Sequence, residues 1–328
     1  MKRTLLSMML MALSAPTFAI QNGIAESPAN FPSLVTMNCT GTIIAGNWVM
    51  TAGHCLKEDI QLVGATSENG RIVVATEIIQ HSDDTDFALW RLRETPLLDK
   101  SLFLSRQFVE NDYDKVYTGY GFGQTGLSLN SATFKVRGAF TGTKELSMEA
   151  LTEAKIVSGD SGSPVLDANN RIVAIHYGAF SSGESETTRI SYVADFILST
   201  INAWHHPTIG SVTAGQSTTI EVQSLHANPV IDTASRTGDI EIDVANSSCM
   251  MGQVQPFDVC TYTVSSKNGY EGVLTLEDGH SVTFNKGKSE VIPPPKPDPT
   301  PDSSGGGALG FLGLLGLGLV SLRRQLTN

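Results

Sequence analysis

The stretch VSGDSGSPV, residues 157–165, packs Gly159, Asp160, Ser161 and Gly162 ahead of Ser163 and Pro164. Small residues let the backbone turn sharply, which suits a tight surface turn. They equally suit a serine nucleophile whose neighbouring amides point at a developing oxyanion. A serine hydroxyl attacks only when a base takes its proton, and imidazole titrates near neutral pH. Other stretches supply the partners. WVMTAGHC places His54 just after an apolar, strand-like run, and DTDFALWRL places Asp86 ahead of Phe87, Ala88 and Leu89. In such a set His54 is the base, and Asp86 orients its ring and stabilises the imidazolium. The amides of Gly159 and Ser161 would form the oxyanion hole, where losing a donor costs on the order of 10²–10³ in rate. Asp83 and Asp84 lie close by, but Asp86 has the apolar-Ala-Leu context.

These residues need a rigid frame. From Ile20 to about Trp204 the chain reads as short β-branched runs divided by Gly, Asn, Asp and Ser. Thr42–Ile44 with Trp48–Thr51, Arg71–Ile79, Val116–Gly119 and Arg171–Ile175 are the clearest. Their spacing predicts an all-β barrel or sandwich rather than alternating βαβ units. Tyr192–Trp204 reads as a terminal helix, with Phe196, Ile197, Ile201 and Trp204 at helical intervals. His205-His206-Pro207 reads as a polar linker marking a boundary. Beyond it, Ser217–Val222, Asp239–Val244, Cys260–Val264, Gly272–Leu276 and Ser281–Phe284 predict a small immunoglobulin-like β-sandwich without a catalytic constellation.

Bulk properties bound the partners. The chain has 328 residues, 41% hydrophobic and 17% charged, with a net charge of −11. That fits a globular protein and argues against non-specific nucleic-acid binding, which needs a basic footprint. Four cysteines fall as two close pairs, Cys39 with Cys55 and Cys249 with Cys260. The absence of CxxC and of zinc-like histidine spacing argues for two disulfides and against a structural metal. No cofactor is called for. Lys2-Arg3, the apolar run Leu5 to Leu13 and Thr17-Phe18-Ala19 read as a secretory leader cut by signal peptidase after Ala19.

The ordered set His54, Asp86 and Ser161, with CTGTIIAGNWVMTAGHC and with GYGFG at 119–123, resembles the trypsin/chymotrypsin (S1) family from Ile20 to about Trp204. The resemblance implies a chymotrypsin-like double β-barrel with a C-terminal helix, followed here by the small β-sandwich. It also implies a serine endopeptidase that hydrolyses protein or peptide substrates through an acyl-enzyme. Cys39 and Cys55 match that family's histidine-loop disulfide, worth roughly 3 kcal/mol in the chain-entropy model. Ile20-Gln21-Asn22-Gly23 matches the family's mature Ile-Val-Gly-Gly start, whose amine would pair with Asp160. Because Ile20 follows Ala19 directly, export itself would free that amine. An esterase elbow would need glycine where Ser163 stands. A surface adhesin on a weakened protease scaffold is the second class, and the complete triad argues against it.

The substrate pocket divides the expectations. Trypsin-like members attract Lys or Arg at P1, the residue before the scissile bond, through an aspartate where Lys155 stands; Glu153 would serve after a loop shift. Ile175-His176-Tyr177-Gly178 is similar to the V8-like glutamyl endopeptidases, whose corresponding histidine contacts an acidic side chain. Together with Lys155 and Ser158, and with Tyr177 and Gly178 along the substrate backbone, this implies an acidic P1. Acidic and basic both stay open.

After Pro293 come a stiff Pro-rich spacer, glycines 305–307, an apolar run from Ala308 to Leu322, and Arg323-Arg324. As a helix the run covers roughly 22 Å, short of a hydrocarbon core of about 30 Å. The order resembles the GlyGly-CTERM sorting tail of Gram-negative secreted proteins, which a rhomboid-type protease cuts on the way to the secretion machinery. The expected organisation is a leader (1–19), a protease domain (20–206), an accessory β-rich domain (207–290), a linker (291–304) and a sorting or anchor tail (305–328). The expected destination is the cell surface or the medium.

Overall fold

The computed structural model describes residues 19–290, apart from 57–58, 66–67, 82–83, 108–112, 114, 124–126, 139–143 and 181. The leader up to Phe18 and the spacer and tail (291–328) lie outside the described residues. Among the described residues no helix is long and apolar enough to cross a membrane.

A short strand β1 (Ile24–Glu26) precedes six that close on themselves: β2 (Leu34–Thr36), β3 (Thr40–Ile44), β4 (Trp48–Thr51), β5 (Asp59–Leu62), β6 (Ile72–Gln80) and β7 (Ala88–Leu92). They form a barrel in the order β2-β3-β4-β7-β6-β5. Val35, Ile43, Val49, Ile60, Leu62 and Trp90 fill it, in keeping with alternation along each strand. The second group is β8 (Val116–Gly121), β9 (Leu129–Gly138), β10 (Glu145–Ala150), β11 (Pro164–Leu166), β12 (Ile172–Ala179) and β13 (Glu184–Arg189). Its order β9-β10-β13-β12-β11-β8 closes through β8–β9 pairing, and β1 adds to β9. Both barrels are antiparallel, so the all-β chymotrypsin-like expectation holds.

Helix α1 runs Ile190–Ile201, two residues earlier at its start and three shorter at its end than expected. Ile190, Val193, Ala194, Ile197, Leu198 and Ile201 form its buried stripe. Asn202 ends it in the left-handed region at φ 45°, its N–H on the Leu198 carbonyl. Trp204 therefore leaves the helix and pairs with Ser224. The helix stripe packs with Ile44, Met50 and Phe87 from the first barrel and Leu166 and Ile175 from the second.

The chain then adds β14 (Trp204–His205), β15 (Ile209–Gly210), β16 (Gln216–Ser224), β17 (Val230–Ile231) and β18 (Ser235–Gly238). These are followed by β19 (Glu241–Ile242), β20 (Gln253–Val254), β21 (Val259–Ser266), β22 (Gly272–Glu277) and β23 (His280–Phe284). Two four-stranded sheets, β14-β16-β21-β19 and β15-β23-β22-β18, share a core of Val222, Tyr262, Val264, Leu274, Val282 and Phe284. The expected strand Asp239–Val244 shrinks to two residues. Asp239 accepts from Ser266 Oγ, Asn268 N and Tyr270 N, and Asp243 caps a tight turn at Val244–Asn246. Cys249 and Cys260 are bonded, at an S–S distance of 2.02 Å.

His205 and His206 are not a polar linker: they are 0% and 2% exposed. His205 Nδ1 accepts the Ala45 N–H at 3.0 Å, and its Nε2 donates to the Leu102 carbonyl at 2.9 Å. Both ring nitrogens are satisfied only in the neutral form, which is how an imidazole can be buried at all. His206 donates from Nδ1 to the Pro207 carbonyl, and its Nε2 meets His280 Nδ1 at 3.2 Å. Around them Thr208 bonds Pro96 and Leu98, Gln223 bonds both backbone groups of Leu104, and Leu225 and Phe257 join the helix cluster.

Burial pushes His205 down to about 4 from 6.5. A base whose folded pKa is depressed contributes stability above its unfolded pKa and loses it as pH falls toward the folded one. The unfolding free energy should therefore drop between pH 6.5 and about 4 by one proton's worth from this group, about 1.4 kcal/mol per pH unit. Comparing thermal unfolding of the wild type with His205→Gln, which keeps a donor and an acceptor, isolates that slope. Parallel pH profiles would remove His205 as its source.

Candidate active site

The His54 end of the site begins with β4, which carries the chain to Ala52-Gly53-His54-Cys55, and the disulfide to Cys39 (Cα–Cα 6.2 Å) anchors that loop to the start of β3. Asp86 precedes β7, the hydrogen-bonded neighbour of β4. Pairing of adjacent strands thus brings the two residues together. Asp86 Oδ2 lies 2.6 Å from His54 Nδ1, and Oδ1 accepts the His54 backbone N–H at 2.9 Å. One carboxylate thereby fixes both the ring and the backbone that carries it. Thr188 Oγ1 of β13 donates to the Asp86 carbonyl at 3.2 Å, so the second barrel holds the aspartate too.

Electrostatics follow from the contact. The hydrogen bond from Asp86 raises His54 above its ordinary value, against partial burial. Burial pushes Asp86 up, but its bonds to His54 and to the Gly53 and His54 amides outweigh that and hold it below its usual value. A ring anchored at Nδ1 by an anion keeps Nε2 as its proton-exchanging atom.

Ser161 lies on the turn between Lys155 and β11. Gly159 and Gly162 have φ of +95° and +85°, a region that L side chains rarely adopt. At Gly162 a Cβ would lie 2.1 Å from the Thr40 carbonyl oxygen and 2.3 Å from Thr51 Oγ1, so no other residue fits. The Thr40 N–H donates to the Ser161 carbonyl at 2.8 Å. Two cavities, of about 420 and 360 Å³, meet at Ser158 and Ser161. His54, the Cys39–Cys55 disulfide, Leu56 and Gly159 line the first; Val157, Tyr177, Gly178 and Phe180 line the second.

Asp160 is wholly buried. Its carboxylate accepts from Gly123 N at 2.8 Å, Val157 N at 2.9 Å and the backbone of Ile20. Burial nevertheless raises its pKa to about 7. Ile20 is itself fully buried, with Asn130 Nδ2 on the Ala19 and Ile20 carbonyls. Gln21 exchanges two backbone hydrogen bonds with Lys155, at 2.8 and 2.9 Å.

The pocket residues divide. Ser158, Tyr177 and Gly178 line the second cavity as expected, whereas Lys155, Glu153 and His176 do not line it. The Lys155 side chain is exposed, its backbone committed to Gln21. Glu153 is exposed as well, and its carbonyl accepts from Asn22 Nδ2. The His176 ring is fully buried, 5.0 Å from that of Phe134, and burial lowers its pKa to about 3. Neither of its ring nitrogens has a hydrogen-bond partner among the described residues. Burial, aided by Glu145 and Glu186, raises the Tyr177 phenol far above its ordinary value. Those two carboxylates were invisible from the sequence, since they reach the site across β10 and β13.

The family model for trypsin matches residues 20–197. Among solved structures the fold is similar to the Vibrio cholerae VesB protease, with a TM-score of 0.46, 18% identity, and 81% of this chain and 99% of that one covered. Neuropsin, a serine protease expressed in the limbic system of mouse brain, matches with a TM-score of 0.46, 20% identity, and 55% and 99% covered. Kallikrein-related peptidase 10 gives 0.46, 16%, and 54% and 98%. No curated protein matches the sequence significantly. The match over more than half of the chain, on a double barrel where His54, bonded to Asp86, shares a cavity with Ser161, settles the family: this chain belongs to the trypsin family.

Proposed function

We propose that the chain is a serine endopeptidase that cleaves protein or peptide substrates through an acyl-enzyme on Ser161. The observation that carries this reading is the doubly bonded His54–Asp86 pair opening on the same cavity as Ser161. Ser161 Oγ attacks the carbonyl carbon while His54 Nε2 takes its proton, and Asp86 balances the imidazolium. The N–H groups of Gly159 and Ser161 receive the oxyanion. His54 then gives the proton to the leaving amine, and water, activated by the same base, releases the acid product. Nothing in the arrangement favours an inactive adhesin.

Residues 20–206 are read as the catalytic part and 207–290 as an accessory β-rich domain. Signal-peptidase cleavage after Ala19 is the activating step: the Ile20 ammonium replaces an amide beside the buried Asp160 carboxylate. The pattern of the tail supports rhomboid-type processing, hand-over to the secretion machinery and delivery to the surface or medium. For P1, the Glu145 and Glu186 carboxylates beside Tyr177 and Gly178 of the second cavity support an uncharged or basic side chain over an acidic one. That cavity's lining includes none of Lys155, Glu153 and His176.

Digestion of a mixed peptide library by the exported chain, with new ends read by mass spectrometry, tests the reading. Cuts should depend on Ser161, with Ser161→Ala or His54→Ala lowering kcat by roughly 10⁴-fold or more. Uncharged or basic residues should precede the cuts, and a run of Glu there would restore the acidic pocket. Because only neutral His54 accepts a proton, activity should fall as pH drops through a midpoint above about 6.5. Asp86→Asn should shift that limb downward. N-terminal sequencing should return Ile20, and an extra residue ahead of it should depress activity. Full activity with the extension in place would refute activation by export.

A further inference from the structure

Thr40 opens β3 in the first barrel, yet its side chain is spent on the nucleophile loop of the second. It is fully buried. Its hydroxyl donates to the Gly159 carbonyl at 3.0 Å and accepts the Phe122 N–H at 3.1 Å. One hydroxyl proton and the lone pairs beside it are therefore both committed. The Thr40 N–H donates to the Ser161 carbonyl at 2.8 Å, and the Thr40 carbonyl accepts from Thr51 Oγ1 at 2.9 Å.

These bonds bracket Gly159. Its carbonyl is held by Thr40, and the N–H across the same peptide, that of Asp160, donates to the Val157 carbonyl at 3.0 Å. That peptide plane, which follows Gly159, is thus pinned at both ends and fixes where the Gly159 Cα sits; the Gly159 N–H belongs to the preceding peptide, hinged on that Cα at φ +95°. A glycine turns easily, and without that anchor the Gly159 Cα could shift and carry its N–H out of line with the cleft. Asp160 alone does not prevent this, because its carboxylate bonds Gly123, Val157 and Ile20 and leaves the Gly159 carbonyl untouched.

We infer that Thr40 is a positioning residue for catalysis: its hydroxyl holds the Gly159 carbonyl and so fixes the place from which the Gly159 N–H reaches the reacting carbonyl oxygen. The inference rests on the peptidase reading above, with Gly159 as an oxyanion donor. Thr40 touches neither substrate nor nucleophile side chain. It acts through a backbone plane, and its effect belongs to the transition state, where charge reaches the oxygen. Phe122 extends the link to the Gly123 amide that holds Asp160, so one hydroxyl ties the oxyanion loop and the activation pocket to a strand of the other barrel.

The test is steady-state kinetics of the full chain with Thr40→Val, which keeps the shape and removes the hydroxyl, and Thr40→Ser, which keeps the hydroxyl. Thr40→Val should lower kcat by roughly 10- to 100-fold, less than losing a donor outright. KM should stay within about twofold, as expected for an interaction made in the transition state. Thr40→Ser should recover most of the rate. If Thr40→Val does not fold, Thr40→Ala below its melting transition reads the same split. A variant that melts earlier but turns over at the wild-type kcat would reduce Thr40 to a packing residue, as would a Ser variant no faster than Val. A wild type without Ser161-dependent cleavage would instead fail the peptidase reading itself.

Discussion

Where the Cβ of residue 162 would stand, the carbonyl oxygen of Thr40 already lies, 2.1 Å away. That contact sets the geometry of the cleft. Two barrels, each with its own apolar filling, must approach until a strand start of one touches the turn of the other. At that distance backbone polar groups can meet only if they pair, because an unpaired buried amide costs as much as a lost hydrogen bond. They do pair: Thr40 N with the Ser161 carbonyl, Gly162 N with the His176 carbonyl, and His176 N with the Ser163 carbonyl. The sharp turn at Ser161 is thus the shape left to a chain squeezed between strands β3 and β12.

The base side of the site obeys the same constraint from the other direction. His54 and Asp86 both belong to the first barrel, but Asp86 is held by Thr188 of the second. A ring hydrogen-bonded to a fixed carboxylate has little freedom to turn. Half the surface of the His54 side chain stays open (49%), so substrate can reach it. The seam under α1 closes the frame with Phe87, Ile175 and Leu225 in one cluster. The late strands are therefore packed into the framework, with buried histidines satisfied by barrel carbonyls and amides.

The chemistry was more legible in the sequence than the framework. Ser161, His54 and Asp86 announce themselves because catalysis demands those residue types beside small residues or strand ends. Strands β9, β10 and β13 went unread, since LNSATFKVRG, ELSMEA and ESETTR mix polar residues into barrel walls whose outer faces meet solvent. His205 and His206 read as linker residues because sequence reveals polarity but not the carbonyls waiting at residues 102 and 207. Lys155 stands where the family's pocket aspartate would, but its backbone is captured by Gln21, a partner far off in the chain. Thr40 gave no signal at all. A threonine at a strand start is ordinary, and only the fold brings Gly159 within reach of its hydroxyl.

Burial also sets the charge balance at Asp160. Three backbone N–H donors surround this carboxylate, and each favours its charged form. Burial nevertheless wins and lifts the pKa to about 7, so amides alone do not offset the loss of solvent. What the pocket lacks is a full positive charge. An ammonium in place of the Ile20 amide would supply it where Ile20 is already fully buried and Gln21 already paired with Lys155. Docking of the segment and neutralisation of the carboxylate are thus separable. Backbone pairing and apolar burial seat Ile20, while the proposed cleavage after Ala19 would give the Asp160 carboxylate a charged partner.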